Sequence, residues 1–182
     1  MVELSSKKML QKLKKLNLKV LPSLINNIES QKSPQDMLYQ ANIFVFQDSS
    51  IDHKKRLSIL KELYKVSLSS SLPFCTAHNL TLQVKLMREL GKSSDIIKYS
   101  HKAIEIWKTV IDNPLSVNGL IFSYTDLGLL FSDNNLNSLS IKYLDKAKSL
   151  IPICKNHYNP TIKLYIAYAV VYDRMKKFKK SR

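Results

Sequence analysis

The chain has 182 residues, 45% of them hydrophobic and 24% charged, with three glycines, six prolines and a formal net charge of +15. That length accommodates one domain with a real core. So few turn-forming residues exclude a sandwich or barrel and weigh against an α/β fold, which leaves long helices joined by short connections.

The charge is uneven. Residues 1–20 hold six lysines and one acid, Glu3, and residues 174–182, RMKKFKKSR, hold six basic residues and no acid. The basicity therefore belongs mostly to the two ends, as expected for contacts with RNA, an acidic protein or an anionic membrane, or for a targeting signal. The opening segment MVELSSKKMLQKLKKLNLKVLP is amphipathic and lysine-interrupted, unlike a secretory signal and only partly like a mitochondrial presequence. The expected location is cytoplasmic or nuclear, with mitochondrial as the alternative. No apolar run approaches the roughly 18 residues of a membrane span. Cys75 and Cys154 have no metal-ligand spacing and read as free thiols.

In chain order, residues 1–32 form a basic N-terminal segment, divided by Pro22 into an amphipathic stretch and LPSLINNIESQ. Ser33-Pro34 is an N-cap followed by a first-turn proline, with Asp36 favourable near the start of the helix DMLYQANIFVF. IDHKKRLSILKELYKVSL places Leu57, Leu60, Leu63 and Tyr64 on one stripe. Pro73 opens the next helix and Gly91 is its C-cap. Ser93 or Ser94 caps a helix running to about Asp112, Asn113-Pro114 restarts the chain, and SDNN separates the next two helices. The last helix begins near Pro160 and runs into the basic tail. This is an all-α chain of about eight helices.

Gly128 lies inside the strong helical stretch YTDLGLLF, where glycine costs about 1 kcal/mol against alanine. Tyr124, Leu127, Gly128 and Phe131, followed by Ser140, Leu144, Ala147 and Pro152, have the spacing W-x2-L-G-x2-Y, A-x3-F and P. This unit resembles the tetratricopeptide repeat at every anchor. The resemblance implies a pair of antiparallel helices with Gly128 and Ala147 as small contact points and Tyr124, Phe131 and Leu144 packed around them.

The register extends in both directions. Leu80, Val84 and Met87, with Gly91 in the turn and Ala103 beyond, form one further unit, and Met37, Ala41 and Phe44 with residues 57–64 form another. Tyr165, Tyr168, Ala169 and Tyr172 begin a fourth, with Phe178 in its turn region. The resemblance covers residues 33–182 as about three and a half units. It implies a right-handed superhelical solenoid of antiparallel helix pairs. The period of 41–44 residues is longer than the basic 34. It is similar to the long-helix repeats of kinesin light chains and of the C-terminal region of SET-MYND proteins, whose His-Pro loop is approximated by His157 and Pro160.

Such a solenoid implies a concave groove lined by the first helix of each unit. The side chains off the packing stripe are Tyr39 and Asn42; His78, Thr81, Lys85 and Arg88; Thr125, Asp126, Leu129 and Asp133; and Lys163, Ile166, Val170 and Arg174. Some family members hold chaperone C-termini with a repeated lysine-asparagine clamp. Leu38 with Asn42, Thr81 with Lys85, and Thr125 with Leu129 do not reproduce it, which disfavours that role.

No catalytic signature is present. The chain lacks GxxxxGK[ST], GxGxxG and HExxH, and its four histidines are scattered. No cofactor and no metal are expected. His101 reads as a solvated side chain, Trp107 as packing, and the stripe Tyr165, Tyr168, Tyr172 as core. The leading expectation is a non-enzymatic adaptor or assembly subunit that binds protein partners. The second is a basic structural subunit of a ribonucleoprotein, such as a mitochondrial ribosome, touching RNA through its lysine-rich ends. A third is a degenerate relative of a larger enzyme that keeps only its helical array. The apolar last helix, IKLYIAYAVVYDRMKKF, is expected to dock on a partner chain or on the N-terminal segment.

Overall fold

The computed structural model describes residues 5–16, 31, 33–91, 93–154 and 158–180. Pro22 and the stretch around it, His157, and capping by Ser93 or Ser94 lie outside the described residues, as does the side chain of Phe178. The described residues form eight α-helices and one 3-10 turn, without a strand. The chain divides into two compact units, Met1–Tyr99 and Ser100–Arg182.

In the first unit, α1 spans Ser6–Lys15, α2 Pro34–Gln47, α3 His53–Ser69 and α4 Pro73–Glu89. Each start is set by local chemistry. Ser33 Oγ accepts from the Asp36 amide at 3.0 Å, and Pro34 occupies the first turn. Asp52 Oδ1 accepts from the amides of Lys54 and Lys55 at 2.9 and 3.0 Å. These bonds satisfy amides that a helix leaves without internal partners. Arg56 closes the far end of α2, its Nη1 donating to the Phe46 carbonyl at 2.7 Å. Ser71 and Gly91, at φ 52° and 68°, turn the chain after α3 and α4; the glycine adopts this conformation without the strain a side chain would meet.

The buried stripes follow the helical period. Met37, Leu38, Ala41 and Val45 line one face of α2, and Leu57, Leu60, Leu63 and Val66 one face of α3. Helix α4 is buried on nearly every side. It packs on both α2 and α3, while α2 packs on α3. Basic helix α1 buries Met9 and Leu13, spaced i and i+4, and packs on α2 and α3. Its Lys12 reaches Ser70 Oγ at 3.1 Å. The N-terminal amphipathic stretch thus adds to the first unit's core and leaves Lys7, Lys8 and Lys14 exposed.

Helix α5, Ser93–Thr109, crosses the division between the units. The second unit continues with α6 (Pro114–Asp133), α7 (Asn137–Ser149), the 3-10 turn Ile151–Ile153 that contains Pro152, and α8 (Tyr158–Lys180). Asn113 caps α6 through the Leu115 amide at 3.0 Å. Asn135, at φ 61°, makes the turn within SDNN. Helix α6 packs on α7 and α8, and α7 packs on α8. The core between them contains Val117, Ile121, Leu144, Ala147, Cys154, Leu164, Ala167 and Val171.

Within each unit, then, a helix packs on the next two helices in the chain. The turns are three residues long at 70–72, between α3 and α4, and at 134–136, between α6 and α7, too short for anything but an antiparallel return.

Candidate functional site

Gly128 lies in a close seam between α6 and α7. A Cβ built on Gly128 would lie 2.7 Å from Leu144 Cδ2, 2.9 Å from Leu144 Cγ and 3.2 Å from the Ser140 carbonyl oxygen. The absent side chain is what allows α6 and α7 to approach. Phe131 stacks on Tyr143 at 5.2 Å, and Tyr124 lies 6.2 Å from the same ring. Leu127, Ser140, Leu144 and Ala147 are buried, whereas Pro152 is exposed in its 3-10 turn. Sequence reading missed a second such contact. A Cβ on Gly119 would lie 2.3 Å from the indole of buried Trp107. The available signal was another glycine inside a helix that begins at Pro114.

The groove residues expected from sequence fall into two sets. Asn42, Thr81, Thr125 and Asp126 are buried, so they do not present a solvent-facing lining. Asn42 belongs instead to a polar ladder in the first unit. Gln83 Nε2 donates to Asn79 Oδ1 at 2.6 Å, and Asn79 Nδ2 donates to Asn42 Oδ1 at 2.7 Å and to the Leu60 carbonyl at 2.9 Å. Thr81 and Thr125 bond back to the carbonyls of Ala77 and Ile121, four residues earlier.

His78 also turns inward. Its ring lies 4.6 Å from that of Tyr39, and its Nδ1 is inaccessible to solvent and lacks a hydrogen-bond partner among the described residues. Burial, with a smaller contribution from the Lys85 charge, lowers its pKa to about 3, so the imidazole is neutral. Lys85 lies over the Phe46 ring at 5.6 Å, and Arg88 is partly buried.

In the second unit the expected residues come together. Along α6, Phe122, Asp126, Leu129 and Asp133 share one stripe; along α8, Lys163, Ile166, Val170 and Arg174 share another. Lys163 Nζ meets Asp126 Oδ1 at 2.7 Å and sits over the Phe122 ring at 4.9 Å. Farther along, Arg174 pairs with Asp133 and reaches Ser132 Oγ at 3.4 Å. Leu129, Val170 and exposed Ile166 lie on the length between the two ion pairs. The α6–α8 face is thus an apolar strip bounded at both ends by paired charges. Such a surface can hold the side chains of a peptide while the bounding charges engage its backbone or its ends.

The tyrosine stripe of α8 departs from expectation. Tyr165 and Tyr172 are 56% and 49% exposed, and Tyr168 is partly buried, with its hydroxyl donating to Asp145 Oδ1 at 2.5 Å. The core seam of α8 runs along Leu164, Ala167 and Val171. Each of these precedes a tyrosine by one residue, and one residue is about 100° around a helix.

His101 is exposed, with Nε2 3.5 Å from the Tyr143 hydroxyl. No group of three His, Cys, Asp or Glu side chains gathers as a metal site among the described residues. No described helix is long and apolar enough to cross a membrane. No protein-family model matches the chain, and no curated protein or solved structure matches it significantly.

Proposed function

We propose that the chain is a non-enzymatic protein-interaction module, a helical-repeat adaptor or assembly subunit of tetratricopeptide type, and that its second unit holds a partner segment along the α6–α8 face. The observation that carries this reading is the seam where Leu144 and the Ser140 backbone of α7 close on Gly128 of α6. Three further features support it: each unit packs a helix on the next two, the antiparallel turns are short, and Leu129, Val170 and Ile166 share a strip between two ion pairs. The ligand is a peptide or helix with apolar side chains spaced to meet that strip.

The charge distribution favours one second reading, a ribonucleoprotein subunit. The lysines at both ends would neutralise phosphates and make binding fall steeply with salt.

One experiment separates the two. The chain is affinity-purified from its native cell in nuclease-treated and untreated halves, and both are analysed by mass spectrometry. The interaction module retains the same few proteins after nuclease, and Leu129→Glu combined with Val170→Glu releases them. Partners that vanish with nuclease assign the function to the basic ends.

A further inference from the structure

The outer face of α8 carries Ile162, Tyr165, Ile166, Ala169 and Tyr172 at helical spacing. Ile166 is 58% exposed, and Tyr165 and Tyr172 about half exposed. The opposite seam, Leu164, Ala167 and Val171, is already buried in the second unit's core. The exposed apolar stripe is therefore additional to the face that holds α8 in place.

Its pattern repeats an earlier one. A shift of 41 residues places Tyr165, Ala169 and Tyr172 on Tyr124, Gly128 and Phe131. On α6 that large–small–large set receives a second helix. Leu144 and the Ser140 backbone crowd Gly128, and Tyr143 lies against Phe131 and Tyr124. On α8 the corresponding side chains face solvent. Residues 175–177 correspond to the turn 134–136 that returns α7 onto α6, yet they are helical within α8, which continues to Lys180. The residues directly after this face therefore do not fold back over it as α7 does over α6.

Charge specifies the occupant. A helix laid antiparallel on α8, as α7 lies on α6, begins beside the last turns of α8. The sequence there carries Lys176, Lys177, Lys179 and Lys180. The positive end of the incoming helix dipole would therefore lie beside a lysine-rich stretch of sequence, and acidic first turns in the incoming helix complement both. A second copy of α8 does not meet this need. A symmetric antiparallel pair sets the lysine-rich end of one α8 beside the stretch 158–162, YNPTI, of the other, which holds no acid.

We propose that the outer face of α8 docks an amphipathic helix of a different protein, one that places a leucine-sized side chain over Ala169 and small residues beside it, and carries acidic residues in its first two turns. The second unit would then gain in trans the helix pairing that α7 gives α6 in cis. Ile166 borders both this face and the α6–α8 strip, whereas Tyr165, Ala169 and Tyr172 lie off the strip, and their pairing with a helix does not depend on the strip's having a ligand.

The test uses the full chain and a defined probe. The probe is a fluorescent peptide of residues 137–150, stapled on its outward face to hold it helical, with Asn137 and Ser138 replaced by glutamate. Anisotropy is expected to show saturable binding. Ala169→Trp and Tyr165→Ser, both at exposed positions, should each weaken it by at least about tenfold while circular dichroism stays unchanged. A peptide with lysine at the two replaced positions should bind more weakly, and the difference should shrink as salt is raised. No saturable binding, or binding indifferent to Ala169→Trp, would overturn the proposal. A dimer in sedimentation that Ala169→Trp abolishes would assign the face to a second copy and overturn it as well.

Discussion

Lys163 Nζ lies 2.7 Å from Asp126 Oδ1, and the aspartate side chain is only 6% exposed while the lysine remains 31% exposed. The two residues join α6 to α8 at one end of the strip proposed to hold a partner. The second carboxylate oxygen of Asp126 has no hydrogen-bond partner among the described residues. Lys163 is therefore the principal compensation for a desolvated charge.

Removing the cation should accordingly cost more than removing the pair. Lys163→Met is expected to destabilise the chain by about 2 kcal/mol, because it leaves a buried carboxylate uncompensated. Asp126→Leu combined with Lys163→Met should recover about half of that loss. Urea denaturation of the single and double variants measures the coupling. Equal midpoints for Lys163→Met and the wild type would show that the pair contributes nothing.

Gly128→Ala sets two effects against each other. Alanine gains about 1 kcal/mol of helix propensity. Its Cβ, however, would stand 2.7 Å from Cδ2 of fully buried Leu144 and 3.2 Å from the Ser140 carbonyl oxygen, so both a buried side chain and the α7 backbone would have to shift. Overpacking of this kind costs about 1–3 kcal/mol, so the expected net effect is a loss of about 1 kcal/mol. Gly119→Ala, against the buried Trp107 indole, should lose more. Thermal midpoints of both variants, and of Gly128→Ala with Leu144→Val, check the order; the double variant should recover part of the loss.

The neutral imidazole of His78 makes stability depend on acid. Its folded pKa is lowered to about 3, below the ordinary value of 6.5. Between those values the unfolded chain takes up a proton that the folded chain does not. Stability from this group is therefore complete above pH 6.5 and declines as pH falls toward 3, by about 1.4 kcal/mol per unit within that window. His78→Gln should flatten the dependence by one proton. Denaturation midpoints at pH 5 and 7 for the two chains give the comparison.

Cys75 is buried, and its thiol donates to the Gln35 carbonyl at 3.3 Å. Burial, with a smaller contribution from Asp36, pushes its pKa up to about 12. At pH 8 it is a thiol rather than the reactive thiolate. In a Cys154→Ser background, a disulfide reagent should react only at the rate of unfolding. Denaturant should release the full signal within minutes.

The polar ladder of Asn42, Asn79 and Gln83 is a further test of packing. Asn79→Ala removes the donor to Asn42 Oδ1 and to the Leu60 carbonyl, and the acceptor from Gln83. The expected loss is about 2–3 kcal/mol, since buried groups are left unpaired. Asn79→Asp should do no better, because it keeps the size but loses the donor.

The sequence by itself determined the helices and their caps, because each depends on neighbours a few residues apart; the seam at Gly128, against Ser140 and Leu144 further along the chain, it offered only through the repeat resemblance. Ser33-Pro34, Asn113-Pro114 and Gly91 act on the backbone beside them. The spacing from Tyr124 to Ala147 fixes which side chains can meet once a short turn folds the two helices together. Burial around each helix was another matter, since it depends on how many neighbours a helix acquires. Asn42 and Thr125 read as groove residues because they lie off the packing stripe of the first helix of their unit; Asn42 instead joins a buried amide ladder, and Thr125 bonds back into its own helix. Tyr165 and Tyr172 read as core because they are large and apolar at helical spacing, yet the core took the residue before each. Only the tertiary structure decided this, because a rotation of about 100°, one residue around a helix, moves the buried seam to a neighbouring row of side chains, and only the neighbouring helices set that rotation.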